Sequence, residues 1–543
     1  MQSSIWSLRF FAGRLGPVTL LVLLLARGGA AADLCTGLVQ DKAPHPMTGL
    51  GKPAVGQAVV DPQFGTILKR ITAVGAGTGD AAIVPMYSTV SAWNADESLL
   101  LLYHVGQGHE LYDGHTYRFL RALPINPNDI EQVWWHSTDP DVLVYPSGNR
   151  LVRFHVRSGS SETVRTFEFC SGSVTAGNDP MFTSWDSNTI GLKCGSTVFV
   201  YQIATNTITG RGTTDLDSPQ AAASGTAAVL AGWVLDLGLQ AERQLDLGNP
   251  YEHASLGRLA NGRDVYNTVA FDPGPLGSGV GSLVSFDLQD GSSRVAVGPA
   301  TGWPYPPSGT HVSSLAYRAP GWVFLSIVGD PSGQGVLDNE IVLADTNTGK
   351  VCRAGHHRSF GDNNTRLATP YWAEPHVVPS PSGTRAIFAS DWGNGSTVDT
   401  YVVELPSDVG LGLAVSTDRA RYVIGDRMTA SLSITNPGHA TTVDLLLFAV
   451  LPDGDQVVLL TPQGWRQGRL SRPSTLVPLV AGLDLSNPFQ ASQAFLQRTW
   501  TSADAPGTYV WALMAVRPAS LADNRFDPGD VVTVGSTTVV FSR

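Results

Sequence analysis

Four positions between residues 253 and 376 place histidines where they could do chemistry together. His253 stands in "YEHASLGRLANGRDVY", His311 in "GTHVSSLAYRAPGWVF", the twin His356 and His357 in "AGHHRSF", and His376 in "YWAEPH" beside Tyr371, Trp372 and Glu374. Neutral imidazoles together with one carboxylate suit a divalent transition metal. On that basis His356, His357, Glu374 and His376 are the candidate metal ligands. The same types also suit a β-elimination, which needs a cation beside a carboxylate, a base for the adjacent C–H and a proton donor for the leaving oxygen. Arg318 or a metal fits the first role, His311 or His253 the second, and Tyr371 the third; Arg358 is a second arginine of the same kind. The plain alternative for each histidine is a ring that begins a strand and hydrogen-bonds a neighbouring turn.

These positions are far apart in sequence, so the elements around them must bring them together. Of 543 residues, 43% are hydrophobic and only 15% charged, with 58 Gly and 35 Pro, a mixture that favours many short strands and tight turns over long helices. From Thr66 to Pro406 a pattern of strand, polar turn and apolar strand recurs at roughly 40–55 residues. "VSAWNADESLLLLYHV", "VWWHSTDPDVLVYPSGNRLVRFHVRSG" and "FTSWDSNTIGLKCGSTVFVYQIATNT" are clear copies. Such a period with four strands each predicts a β-propeller, in which corresponding points of successive blades meet around one axis. Strand groups beginning near Ile67, Phe119, Thr163, Thr207, His253, Val295 and Val351 predict seven blades. Residues 413–543 read as a separate immunoglobulin-like β-sandwich of alternating strands without a cysteine. The fold class is therefore all-β: residues 66–406 a propeller, 413–543 a sandwich, and 33–65 an N-terminal segment.

Residues 1–32 carry the marks of a cleaved export signal: Arg9 and Arg14, the apolar run Val18 to Ala26, and Ala30 to Ala32 before Asp33. The run is short for a membrane span, so no transmembrane segment is expected after cleavage. A periplasmic or secreted, monomeric protein follows, and its four cysteines are expected to form two bridges, Cys170–Cys194 and Cys35–Cys352. The net charge of −11 excludes nucleic acid as a natural partner.

"AEPHVVPSPSGTRAIFASDWGNGSTVDTYVVEL" resembles the P-H-x-x-x-S-P-D-G hairpin of TolB-type propellers, and in particular the late blades of propeller polysaccharide lyases such as oligogalacturonate lyase. That family holds a divalent metal with a ring of histidines and a glutamine, and uses an Arg and a His for β-elimination. The resemblance implies that His376 is similar to a family ligand, while Glu374 stands where glutamine is expected. The function it implies is binding of an extracellular ligand, a polysaccharide, with lyase cleavage. The alternative is a non-catalytic scaffold that binds a protein or a cell-envelope component.

An earlier group, His104, His109, His115 and His136, lies along hairpins that point side chains to different sides. "DNRFDPGD" crowds acids without the spacing of a calcium loop. Motifs of serine hydrolases, zincins and nucleotide-binding loops are missing.

Overall fold

The computed structural model describes residues 33–75, 81–177, 183–250, 252–272, 281–304, 310–405, 411–436, 442–485, 489–524 and 530–543. The export-signal segment 1–32 lies outside the described residues, as does most of the acidic "DNRFDPGD" stretch. The chain divides into two compact units, Gly37–Pro406 and a second comprising Met1–Thr36 with Ser407–Arg543. Both are built of strands and short 3₁₀ turns among the described residues. No described helix is long and apolar enough to cross a membrane.

Gly37–Pro406 is a succession of antiparallel meanders. One runs through Ala81–Val84, Leu99–His104, Gly108–Asp113 and Phe119–Ala122. The next comprises Trp134–Trp135, Val142–Ser147, Arg150–His155 and Ser160–Thr166, and a three-stranded group from Thr189–Cys194 to Thr207–Thr213 follows it. Gln220–Ala221 to Ala241–Gln244, then Ala254–Arg258 to Ser293–Val297, then Thr310–Ser313 to Lys350–His356 continue the series. The last group, Val378–Pro379, Arg385–Ser390 and Thr397–Glu404, is completed from the other end of the unit: Ile67–Arg70 pairs with Thr397–Glu404, and Ala58–Val60 with Ile67–Arg70. Thr397 and Val398 also meet Ala81 and Ala82 in parallel, so the last and first groups adjoin.

Strand alternation explains the packing. The second strand of several meanders is buried on both faces, as in Trp322–Ile327 and most of Arg385–Ser390. One segment from each of six groups reaches a common point. Ser91, Trp134, Thr183, Ala221, Ser255 and Leu315, one from each of six successive groups, line a single small cavity of about 30 Å³.

The strand groups differ from the sequence expectation in phase. Phe119, Thr163, Thr207, Val295 and Val351 fall in the last strand of a sheet, not the first. The last strand of one sheet and the first of the next are contiguous in sequence, so periodicity alone does not say where one sheet ends. The hydrogen-bond ladder decides it.

Residues 37–60 lie along the later strands as an extended strap. The Arg353 guanidinium donates to the Ala43 carbonyl at 2.7 Å, Arg358 to the Thr48 carbonyl at 2.7 Å and the Trp392 indole to the Leu50 carbonyl at 2.9 Å. The Lys52 ammonium lies 2.6 Å from the fully buried Asp399, which Arg70 also holds at 2.9 Å. Cys170, in a turn beyond Ser160–Thr166, is bridged to Cys194 with Cα atoms 5.8 Å apart, the pairing expected from the sequence. Cys35 and Cys352 are disulfide-bonded too, and no cysteine is free.

The other unit has two sheets. Gly412–Thr417, Arg427–Asn436 and Phe489–Thr499 form one; Thr442–Val450, Gly507–Val516 and Val531–Phe541 lead the larger one. Arg427–Asn436 alternates buried and half-exposed residues, so Met428, Leu432 and Ile434 share a core with Leu445, Leu447 and Leu513. Trp500 stacks on Phe541 within it, ring centroids 4.7 Å apart.

Candidate functional site

Three of the sequence-selected histidines meet. His253 immediately precedes Ala254–Arg258, His311 lies in Thr310–Ser313 and His376 precedes Val378–Pro379, so each stands at the start of its sheet's first strand. The His253 and His311 rings stack with centroids 4.2 Å apart, and the His311 and His376 rings meet edge to face at 4.1 Å. Tyr87, in the connection between Ala81–Val84 and Leu99–His104 of the first group, meets His311 at 5.3 Å and His376 at 5.1 Å.

Glu374 joins them through a 3₁₀ turn. Pro370 opens the turn Pro370–Ala373, where its missing N–H costs nothing, and Glu374 caps the other end. One Glu374 carboxylate oxygen lies 3.4 Å from His311 Nε2 and 3.2 Å from His376 Nε2. His311, Glu374 and His376 each offer one ligand atom, all within 4.8 Å of one another. Donors ~2.1 Å from a shared ion lie roughly 3.0–3.4 Å apart, so the two N···O separations have the size a shared ion needs. His311 Nδ1 is buried without a hydrogen-bond partner. Two imidazoles and a carboxylate are a donor set that fits a divalent transition metal. His376 has φ 43°, in the left-handed region that non-glycine residues rarely occupy.

Tyr371 stands beside His376, ring centroids 5.0 Å apart, and its phenol donates a hydrogen bond to the Glu131 carboxylate. Burial and that carboxylate push the Tyr371 phenol upward, so it stays protonated. His253 Nδ1 lies 3.0 Å from the Thr310 carbonyl oxygen. A carbonyl only accepts, so in the neutral ring Nδ1 carries the proton and Nε2 keeps a free lone pair. Burial, and the neighbouring His376 and His253, hold His311 well below the ordinary imidazole range. Burial works to raise the Glu374 carboxyl, but His376, Asp362 and His253 overcome it and hold it low. Asp362, hydrogen-bonded to Glu374, is pushed up to about 6 by partial burial and by that second carboxylate.

Arg318, His356 and His357 stand elsewhere. Arg318 lies seven residues past His311, beyond the other end of the strand, where its guanidinium donates to the Ala95 carbonyl and sits 3.8 Å from Glu97. His356 closes Lys350–His356, the fourth strand of the sheet whose first strand carries His311. Three strand spacings, ~14 Å, separate those edges. His356 instead faces Asp61 at 3.5 Å and the edge of Phe64. His357 has both nitrogens engaged, Nε2 on the Ile327 carbonyl and Nδ1 accepting from the Ser359 amide. Arg358 turns to Asp61 and Thr48. The earlier histidines scatter as their hairpins suggested: His104 pairs with Glu110 and His109 with the Ile130 carbonyl.

Sequence reasoning missed Tyr87, Glu131 and Asp362. Tyr87 and Glu131 lie in connections between strands, Tyr87 after Ala81–Val84 and Glu131 before Trp134–Trp135, and neither is a residue type that the search for imidazoles selects. Asp362 sits in an irregular loop with no such signal.

No protein-family model and no curated protein matches the chain. Among solved structures it is similar to an oligogalacturonate lyase in complex with manganese, at 14% identity and a TM-score of 0.48, over 64% of this chain and 96% of that one. It is also similar to a chain of a mitotic checkpoint complex, at 10% identity and a TM-score of 0.38, over 66% of this chain and 99% of that one.

Proposed function

We propose that the chain is an exported seven-bladed β-propeller protein with a C-terminal immunoglobulin-like sandwich, and that its histidine cluster serves metal-dependent recognition and β-eliminative cleavage of an acidic polysaccharide. The observation that carries this reading is the convergence of His311, Glu374 and His376 within 4.8 Å. The convergence of residues from six successive groups on one cavity, with a further group closed by Ile67–Arg70, supports the blade count.

His311, Glu374 and His376 would hold the ion, and a bound divalent cation supplies the positive charge that acidifies a carbon next to a carboxylate. With Arg318 and Arg358 committed to Glu97 and Asp61, that charge has no other source in the original candidate set. His253 presents the lone pair of Nε2 as the base. Tyr371 keeps its proton in a hydrogen bond to Glu131, and its hydroxyl would turn from that carboxylate to protonate the leaving oxygen. The net acidity of the site disfavours a polyanion until a cation is bound, so metal and substrate bind together.

The test is a titration of Mn²⁺ and Zn²⁺ into apo protein by calorimetry, paired with an assay for the ultraviolet absorbance of unsaturated uronates. Binding of one ion per chain, lost in His311→Ala, with product formed only in the metal-loaded protein, is expected. A protein that binds neither ion, and forms no product from a broad uronate panel, would leave the scaffold reading in its place.

A further inference from the structure

An imidazole turns easily about its Cβ–Cγ bond, whose torsional wells are broad, so a histidine that binds an ion needs something to hold its ring plane. Ordinarily the nitrogen away from the ion donates a hydrogen bond to a carboxylate, a backbone carbonyl or water, and that bond sets tautomer and orientation together. His311 has no such bond within the protein. Its Nε2 faces Glu374 at 3.4 Å, while Nδ1 is buried with no hydrogen-bond partner among the described residues. The plane of this ring is therefore set by what packs on it. His253 lies along one face, with centroids 4.2 Å apart and planes inclined by 22°. Tyr87 stands almost perpendicular, at 89° and 5.3 Å, and the same phenol ring meets His376 at 5.1 Å. Both imidazoles of the proposed ligand set thus rest on one aromatic ring. That ring is itself anchored: Tyr87 is buried in the apolar core that includes Met86, Val90, Leu101 and Trp134. Its carbonyl accepts from the Val90 amide at 3.0 Å in a tight turn, which holds the backbone as well.

We propose that Tyr87 is a positioning residue for the metal site: its ring fixes the planes of His311 and His376 so that their two Nε2 atoms converge with the Glu374 carboxylate. The proposal rests on the metal-binding reading above. In this role Tyr87 touches neither ion nor substrate; it acts through two ligands at once, by the shape of its ring and not by its hydroxyl. Ligands held in place beforehand bind more tightly, because the ion need not first immobilise two freely turning rings.

The experiment measures Mn²⁺ and Zn²⁺ affinity of the full chain by calorimetry in Tyr87→Met, Tyr87→Leu and Tyr87→Phe. Met fills the volume with a flexible chain, and Leu is a second ring-less variant should the first fold poorly. Both should weaken ion binding about tenfold, whereas Tyr87→Phe should stay within about twofold of the parent protein. Two further readouts separate positioning from a loss of stability. The visible spectrum of bound Co²⁺ should change its band shape in the ring-less variants, because the ligands sit differently; a merely destabilised fold gives the parent spectrum at lower occupancy. In metal-free protein the ring resonances of His311 and His376 should broaden or average in Tyr87→Met and stay sharp in Tyr87→Phe. Unchanged affinity and an unchanged Co²⁺ spectrum in the ring-less variants, with His311→Ala still abolishing binding, overturn the positioning role and leave the metal reading intact. An equal loss of affinity in Tyr87→Phe also overturns it, since the hydroxyl would then be the operative group. A parent protein that binds none of these ions refutes the metal reading and the role with it; the imidazole resonances then report separately whether Tyr87 holds the two rings.

Discussion

His357 makes the protein's stability depend on acid in a way that one substitution isolates. Its ring is fully buried, its Nε2–H donates to the Ile327 carbonyl at 3.0 Å and its Nδ1 accepts from the Ser359 amide at 3.1 Å. Protonating Nδ1 would set one N–H against another and charge a ring that water cannot reach. Burial accordingly brings the imidazole down to about 3, from the usual 6.5. A group depressed on folding takes up its proton in the unfolded chain first. Its contribution is therefore intact above pH ~6.5 and is lost progressively as the pH falls toward ~3. The slope inside that window is about 1.4 kcal/mol per pH unit, so lowering the pH from ~6.5 to ~5 costs about 2 kcal/mol through this ring alone. His357→Gln keeps a donor for Ile327 but cannot titrate. Urea unfolding of both proteins across this range should give a variant less stable at neutral pH but with a flatter pH dependence. The difference between the two curves should shrink by about 2 kcal/mol. Curves that stay parallel from pH ~7 to ~5 would refute the argument, because other titrating groups are common to both proteins and cancel.

Other substitutions report on separate parts of the molecule. Tyr371→Phe should lower the turnover of the lyase reaction at least tenfold while leaving metal affinity unchanged, since it removes a proton donor and no ligand; equal loss of metal binding would count against the assignment. Arg353→Ala should destabilise by about 3–5 kcal/mol in chemical denaturation, because it strands the fully buried Glu340 that Arg353 holds through two 2.6 Å hydrogen bonds. Gly191→Ala should be strongly destabilising in thermal melts: a β-carbon there would lie 1.7 Å from the Pro219 carbonyl oxygen, which is backbone and cannot swing aside. Reducing or replacing the Cys170–Cys194 bridge, which closes 24 residues, should lower stability by about 3 kcal/mol, with the affected segment identified by hydrogen exchange.

Much of this was legible before any coordinates. Hairpins such as the one spanning Leu99 to Asp113 declare themselves through a strand-length apolar run and a glycine turn, and the Cys170–Cys194 pairing was one of the two bridges expected. The meeting of His253, His311 and His376 was also foreseeable, because each begins a strand at a corresponding point of a repeat. What failed was inference from nearness in sequence. Arg318 shares a segment with His311, and His356 shares one with His376, yet a strand carries the first away and a sheet's width separates the second. Phase was hidden for the same reason: a repeat reveals its length, while the sheet boundary depends on which backbone pairs with which. Asp362 could not be found at all, because its importance comes from Glu374 beside it and not from its own surroundings in the sequence.

The pairing of Ile67–Arg70 with Thr397–Glu404 has a consequence for how the chain reaches this state. A strand made early must wait, unpaired on one edge, until more than three hundred further residues have been synthesised. During that interval every later meander can zip from local contacts, but the seam cannot. Closure is therefore the slow and cooperative step, governed by the encounter of two distant segments. Until it happens the exposed edges are open to pairing with other chains. A circular permutant that opens the chain elsewhere and makes these two strands neighbours in sequence should fold faster at little cost in equilibrium stability.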